Sequence, residues 1–187
     1  VRESEKEQLI TALTDTGYEL DQEGEIETAV ISEDDIPVDI YTRIQYFGVE
    51  FIDVEFLLDN TRRRTVYDTE YFGLANEGEH LLHLVHSFFG HRRITLLDFI
   101  HLLRIERDGV NDTDCLKHAA KMGWESTYLY FRSELSALER RIKDEQSVTF
   151  PYLFDLSTMI GSVNRLDADV SGYELPVLFS LWLDGIK

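Results

Sequence analysis

Glu79, His83 and His86 follow one another at spacings of four and three residues. On a helix, where each residue turns by about 100°, that spacing stacks all three on one face. Carboxylate and imidazole together suit zinc, nickel and similar ions, so the trio is a candidate metal site and a metal-dependent hydrolase is one reading of it. The spacing is not the His-Glu-x-x-His of metalloproteases, and the commoner fate of such a face is hydration or hydrogen bonding to a neighbouring element. Asp98 and His101, three apart in an otherwise apolar stretch, are expected to pair with each other or with an arginine, because an unpaired charge there is costly. Asp39 is a third candidate. It sits inside an apolar strand-like run, with Asp53 and Glu55 on the next segment, and carboxylates on strands are hard oxygen ligands of the kind that hold magnesium for phosphoryl transfer.

The basic residues are grouped. Residues 1–60 hold 17 acids and 3 bases, whereas residues 61–107 hold 6 acids and 7 bases, with five of the six histidines. Arg62, Arg63 and Arg64 together with Arg92 and Arg93 make this island the candidate phosphate-binding segment, since guanidinium groups match phosphate oxygens in pairs. The alternative is that these residues pair with the acidic first part of the chain.

The elements that must carry these residues can be read from periodicity. Ser4 and Glu7 form a capping-box pattern ahead of a helix over 4–16. Strand-like runs follow at 18–21, 26–32, 37–46 and 49–58. Within the third, alternation puts Asp39, Tyr41 and Arg43 on one face and Val38, Ile40, Thr42 and Ile44 on the core face. From residue 76 the period becomes helical, with Leu81, Leu84, Val85, Phe88 and Phe89 on the buried stripe of a helix over 76–89. A helix over 94–107 is apolar almost all round and is predicted to be central. Further helices are expected at 112–122, 125–143, 151–162 and 173–184. The fold class is therefore α+β, with a small N-terminal mixed sheet and a helix followed by a helical C-terminal half.

Composition narrows the functional classes. The chain has 187 residues, a net charge of -18 and 43% apolar residues, so it is acidic yet rich enough in core formers to fold. Thirteen of its 18 basic residues are arginine. This balance matches a salt-adapted, halophilic protein, because concentrated salt screens the self-repulsion of a crowded acidic surface. Cys115 is the only cysteine, which excludes an internal disulfide or a multi-cysteine zinc site and points to a reducing, cytoplasmic setting. No run approaches the ~18 apolar residues of a membrane span. The acidity disfavours nucleic-acid binding through a general basic surface. There is no Walker loop, dinucleotide fingerprint, nucleophile elbow or kinase signature.

The order LITALTDTGY (9–18), Val38-Asp39-Ile40, EHLLHLVHSFF (79–89), LLDFIHLLR (96–104) and CLKHAAKMGW (115–124) resembles the uncharacterised nucleotidyltransferase-like proteins of the polymerase-beta superfamily. The resemblance spans about residues 5–135 and is carried by hydrophobic pattern plus Asp39, Glu79, His86 and Asp98. The chain is accordingly expected to divide into a small α/β nucleotidyltransferase-like part at 1–74 and a helical part packed on it at 75–187, whose tail 144–187 the resemblance does not cover. The resemblance also implies a nucleotide partner and magnesium, with Asp39 as the third of three metal-binding carboxylates. The Gly-Ser motif with its Asp-x-Asp pair, expected ahead of the first helix, does not occur before Asp39. Whether it lies upstream of Val1 or the chain is not catalytic is left open, and the alternative is a non-catalytic module that docks a protein partner or another copy of itself.

Overall fold

A computed structural model describes residues 1–46, 48–91, 93–150 and the backbone of 152–153. The fold is α+β. A 3-10 turn at Glu3–Glu5 leads into α1 (Lys6–Thr14). The Ser4–Glu7 capping box does not form: Ser4 is absorbed in the turn, and the N-cap position falls to Glu5, which makes no side-chain cap. Strands β1 (Glu19–Gln22), β2 (Glu27–Ile31) and β3 (Pro37–Tyr41) form an antiparallel sheet in that order. Of the expected core face, Ile40, Thr42 and Ile44 are buried and Val38 is half-buried.

The run expected as one strand over 37–46 breaks after Tyr41. Its end becomes β4 (Ile44–Tyr46), which pairs antiparallel with β5 (Val49–Ile52) in a separate hairpin. The strand expected to reach residue 58 stops at Ile52. Asp53 accepts a hydrogen bond from the Glu55 amide, caps a helix and sends Val54–Asp59 into α2. The basic stretch forms a two-stranded antiparallel ladder, β6 (Thr61–Val66) and β7 (Thr69–Leu74). Tyr67 and Asp68 turn it with both φ values positive, at 48° and 65°. Every ladder among the described residues is antiparallel.

Helix α3 (Asn76–Val85) runs into one π turn at His86–Gly90, then β8 (Arg93–Ile94), α4 (Leu96–Arg107), α5 (Asp112–Lys121) and α6 (Glu125–Lys143). Asn76 fastens the start of α3 to the end of α4 by donating to the carbonyls of Asp108 (3.0 Å) and Gly109 (2.7 Å). β9 (Tyr152–Leu153) pairs with β8, so these two residues are not in the helix expected over 151–162; the remainder of that helix and the one over 173–184 lie outside the described residues.

One apolar core joins both halves. Phe51 from β5 stacks on Phe89 with ring centroids 3.8 Å apart, and Phe88 meets Phe131 of α6 edge-on at 4.3 Å. The indole of Trp124 donates to the Phe51 carbonyl at 2.8 Å. The expected stripe of α3 is buried throughout. Helix α4 is not central. It buries Phe99, Leu102 and Ile105 but leaves Leu97 76% exposed, with Leu96 and Ile100 also open. No helix among the described residues is long and apolar enough to cross a membrane.

Candidate functional site

Helix α3 lies with its apolar stripe in the core, and the opposite stripe, Glu79, Leu82, His83 and His86, faces the N-terminal strands. Between them is a cavity of about 380 Å³. Asp39 and Tyr41 from the outer face of β3, Ile44, Gln45 and Tyr46 from β4, Leu74 from β7 and His101 from α4 complete its lining. The elements thus bring together residues up to 62 positions apart.

A charged chain runs along the helical wall. The Arg64 guanidinium donates to the Leu74 carbonyl (2.7 Å) and, by a very short contact, to Glu79. The other Glu79 oxygen stands 3.3 Å from His101 Nε2. The rings of His101 and His83 touch, with centroids 4.7 Å apart. On the far side of His83, Asp98 Oδ1 stands 3.2 Å from Nε2, off the line of an N–H bond, and Nε2 is buried without an aligned hydrogen-bond partner among the described residues. Asp98 is held in turn by Thr95: its Oδ2 accepts from the Thr95 amide (2.8 Å) and hydroxyl (2.6 Å) in the capping box of α4.

Two glycines make the approach of neighbouring side chains feasible. A Cβ at Gly73 would lie 2.9 Å from Arg64 Cδ and Nε, and it is this bare backbone that the arginine stem crosses on its way to Glu79. A Cβ at Gly90 would lie 3.1 Å from the Tyr46 ring. With Gly90 there, Tyr46 reaches His86, its hydroxyl 2.9 Å from Nδ1. The π turn, closed by the His91 amide on the His86 carbonyl, also sets the His91 ring 4.4 Å from that of His86. Such widened turns recur at functional sites.

Burial sets the protonation preferences. Desolvation, and then the charge of His101, push the His83 pKa down; desolvation and His91 do the same to His86. Asp98 is pushed up by burial, but its hydrogen bonds from Thr95 prevail and hold it below the ordinary carboxylate range. Desolvation raises Tyr46 and Tyr41, the latter with Glu27 assisting.

Glu79, His83 and His86 do share a face, yet each has its own protein partner, and no three His, Cys, Asp or Glu side chains converge on a common metal position among the described residues. The expected Asp98–His101 pairing is replaced. The capping box and His83 take Asp98, and Glu79 takes His101. Asp39 lines the cavity and has no ion-pair partner among the described residues. The three arginines do not act together. Alternation along β6 turns Arg64 inward with Arg62 on the same face, while Arg63 lies on the other, over the Phe72 ring and 3.6 Å from Glu70. Arg93 is exposed on β8, and Arg92 lies outside the described residues. Asp53 is occupied by Lys121 (2.7 Å) and, with Glu55, is not part of the cavity. Tyr46 and Gln45 carried no chemical signal in the sequence.

No protein-family model, curated protein or solved structure matches the chain.

Proposed function

We propose that the chain is a nucleotidyltransferase-like protein that handles a nucleotide at the cavity between β3, β4 and α3. One observation carries the reading. The four side chains on which the family resemblance rests, scattered over 60 positions, belong to a single site: Asp39, Glu79 and His86 line the cavity and Asp98 stands directly behind His83 in its wall. A structural role for each would not require them to meet. In this reading Asp39 presents a free carboxylate at the cavity, and the phenols of Tyr41 and Tyr46 with the apolar Ile44, Leu74 and Leu82 offer a surface for a base or sugar. Magnesium bound with the nucleotide would neutralise the phosphates and hold them in line.

Calorimetric titration with a non-hydrolysable nucleoside triphosphate, with and without magnesium, tests this. Magnesium-dependent binding is expected, weakened about tenfold or more in Asp39→Ala, the loss of one charge-assisted contact. Binding that Asp39→Ala leaves untouched removes Asp39 from the role, and no binding at all sinks the reading.

The second reading is a non-catalytic docking module. It is favoured by the exposed Leu96, Leu97 and Ile100 on α4 and by Tyr67 and Phe72 on the β6–β7 ladder. A strictly monomeric chain in light scattering, with measurable nucleotide affinity, would count against it.

A further inference from the structure

We propose that His83 is the general base of this cavity, accepting the proton of a hydroxyl group on the molecule that receives the nucleotidyl group, with Asp98 and His101 as positioning residues. The inference rests on the nucleotidyl-transfer reading and names what that reading lacks, the chemical class of the acceptor.

His83 is the cavity histidine whose two faces are most fully determined. Its Nε2 is buried 3.2 Å from Asp98 Oδ1, whose charge favours the imidazolium once formed. Its Nδ1 makes no hydrogen bond to the protein among the described residues and is not one of the buried unpartnered atoms, so it is the nitrogen left for a ligand in the cavity that His83 lines. His101 crowds the ring at 4.7 Å and is itself tied to Glu79, and Glu79 to Arg64, so neither neighbour is free to quench it. His86 adds a further opposing charge along α3, while Asp39, Tyr41 and Tyr46 face the ring across the cavity. Burial and these imidazole neighbours keep His83 neutral in the resting protein, the state a base requires. A carboxylate acceptor would need no such base, because it arrives deprotonated. An alcohol does need one.

The step balances as follows. The acceptor oxygen forms a bond to the α-phosphorus of a nucleoside triphosphate as its proton passes to His83 Nδ1. The bond from the α-phosphorus to the oxygen bridging to the β-phosphate breaks, and its electron pair leaves with pyrophosphate. The imidazolium then faces Asp98 until solvent removes the proton.

The test measures pyrophosphate release from a mixture of the four ribonucleoside triphosphates with magnesium, using water and added glycerol as hydroxyl probes. It compares the wild type, His83→Ala, His83→Ala with imidazole, and Asp98→Asn across a range of pH. Nucleotide affinity is titrated in parallel. The expected result is a fall of about a hundredfold or more in His83→Ala with nucleotide affinity retained, and partial recovery with imidazole. The pH at which the rate rises should shift in Asp98→Asn. In a readout independent of turnover, the His83 ring resonance should titrate below the ordinary imidazole value in wild type and change its midpoint in Asp98→Asn. Unchanged release in His83→Ala, a loss that imidazole does not repair, or no release by a wild type that binds nucleotide each overturns the inference while leaving the nucleotide reading standing. Absence of nucleotide binding removes both.

Discussion

His80 should make the protein lose stability as the pH falls towards 5, and the size of the effect can be worked from its surroundings. The ring is fully buried on α3, 6.3 Å from Tyr128 and nearly perpendicular to it, and neither ring nitrogen has a hydrogen-bond partner among the described residues. Desolvation, reinforced by the charge of Arg132, pushes its pKa down from 6.5 to about 4. The unfolded chain therefore binds a proton that the folded chain refuses. For such a group the stabilisation is complete above the unfolded value and is lost as pH falls from about 6.5 towards 4. Between about pH 7.5 and about pH 5.5 the linkage relation gives a loss of about 1.4 kcal/mol from this residue alone. The lower pH is chosen to stay clear of the isoelectric point near 4.6, where the protein would precipitate. In His80→Leu that loss should vanish, and stability at the higher pH should hold or rise, because two buried polar atoms with no partner are removed. Urea denaturation of both proteins at both pH values measures this. Other histidines lowered by burial, His83, His86 and His118, contribute equally to both chains and cancel in the comparison. If wild type and His80→Leu lose the same stability on acidification, the ring has a partner or a hydration path that the structure does not account for, and the reasoning fails.

Two further outcomes follow from the support of the cavity wall. Gly73→Ala should destabilise the protein by about 1–3 kcal/mol through a forced shift of Arg64; in an Arg64→Ala background the same change should cost much less, and equal cost in both backgrounds would show that Arg64 is not the obstacle. Thr95→Ala should cost about 1 kcal/mol by opening the capping box of α4, with Thr95→Ser close to wild type in urea midpoint.

How much of this was legible in the sequence varies with the range of the interaction involved. Helix α6 lies where periodicity put it, at 125–143, because a long amphipathic run with Trp124, Tyr128, Phe131, Leu135 and Leu138 on one stripe admits one solution. The faces of β3 were equally clear. Val54–Asp59 was not: a short apolar run serves strand or helix alike, and the capping role of Asp53 decided it. The β6–β7 ladder was missed because its turn uses Tyr67 and Asp68 at positive φ instead of Asn-Gly. The face shared by Glu79, His83 and His86 was a local property and was read correctly, whereas their partners are tertiary. Nothing in the spacing of Asp98 and His101 reveals that Thr95 would claim the first and Glu79 the second.

The charge pattern has a tertiary explanation that composition alone did not suggest. Sequence allowed two uses for the near-neutral segment 61–107: to bind an anion, or to neutralise the acidic strands before it. The structure shows a third arrangement, in which the segment neutralises itself. Arg64 and His101 meet Glu79, and His83 meets Asp98, all three contacts lying within 61–107. Acidic Asp39 from the strands then joins the same cavity with no ion-pair partner among the described residues. Apart from its histidines, the site carries three carboxylates, Asp39, Glu79 and Asp98, against the one guanidinium of Arg64. A triphosphate entering alone would be repelled there; one accompanied by a divalent cation would not, and Asp39 is the carboxylate left free to meet that cation. For this reason the magnesium-free titration is the sharper half of the binding experiment. A nucleotide that binds as well without magnesium as with it cannot be bound at this cavity by this logic, and the arginines of β6 would become the place to look.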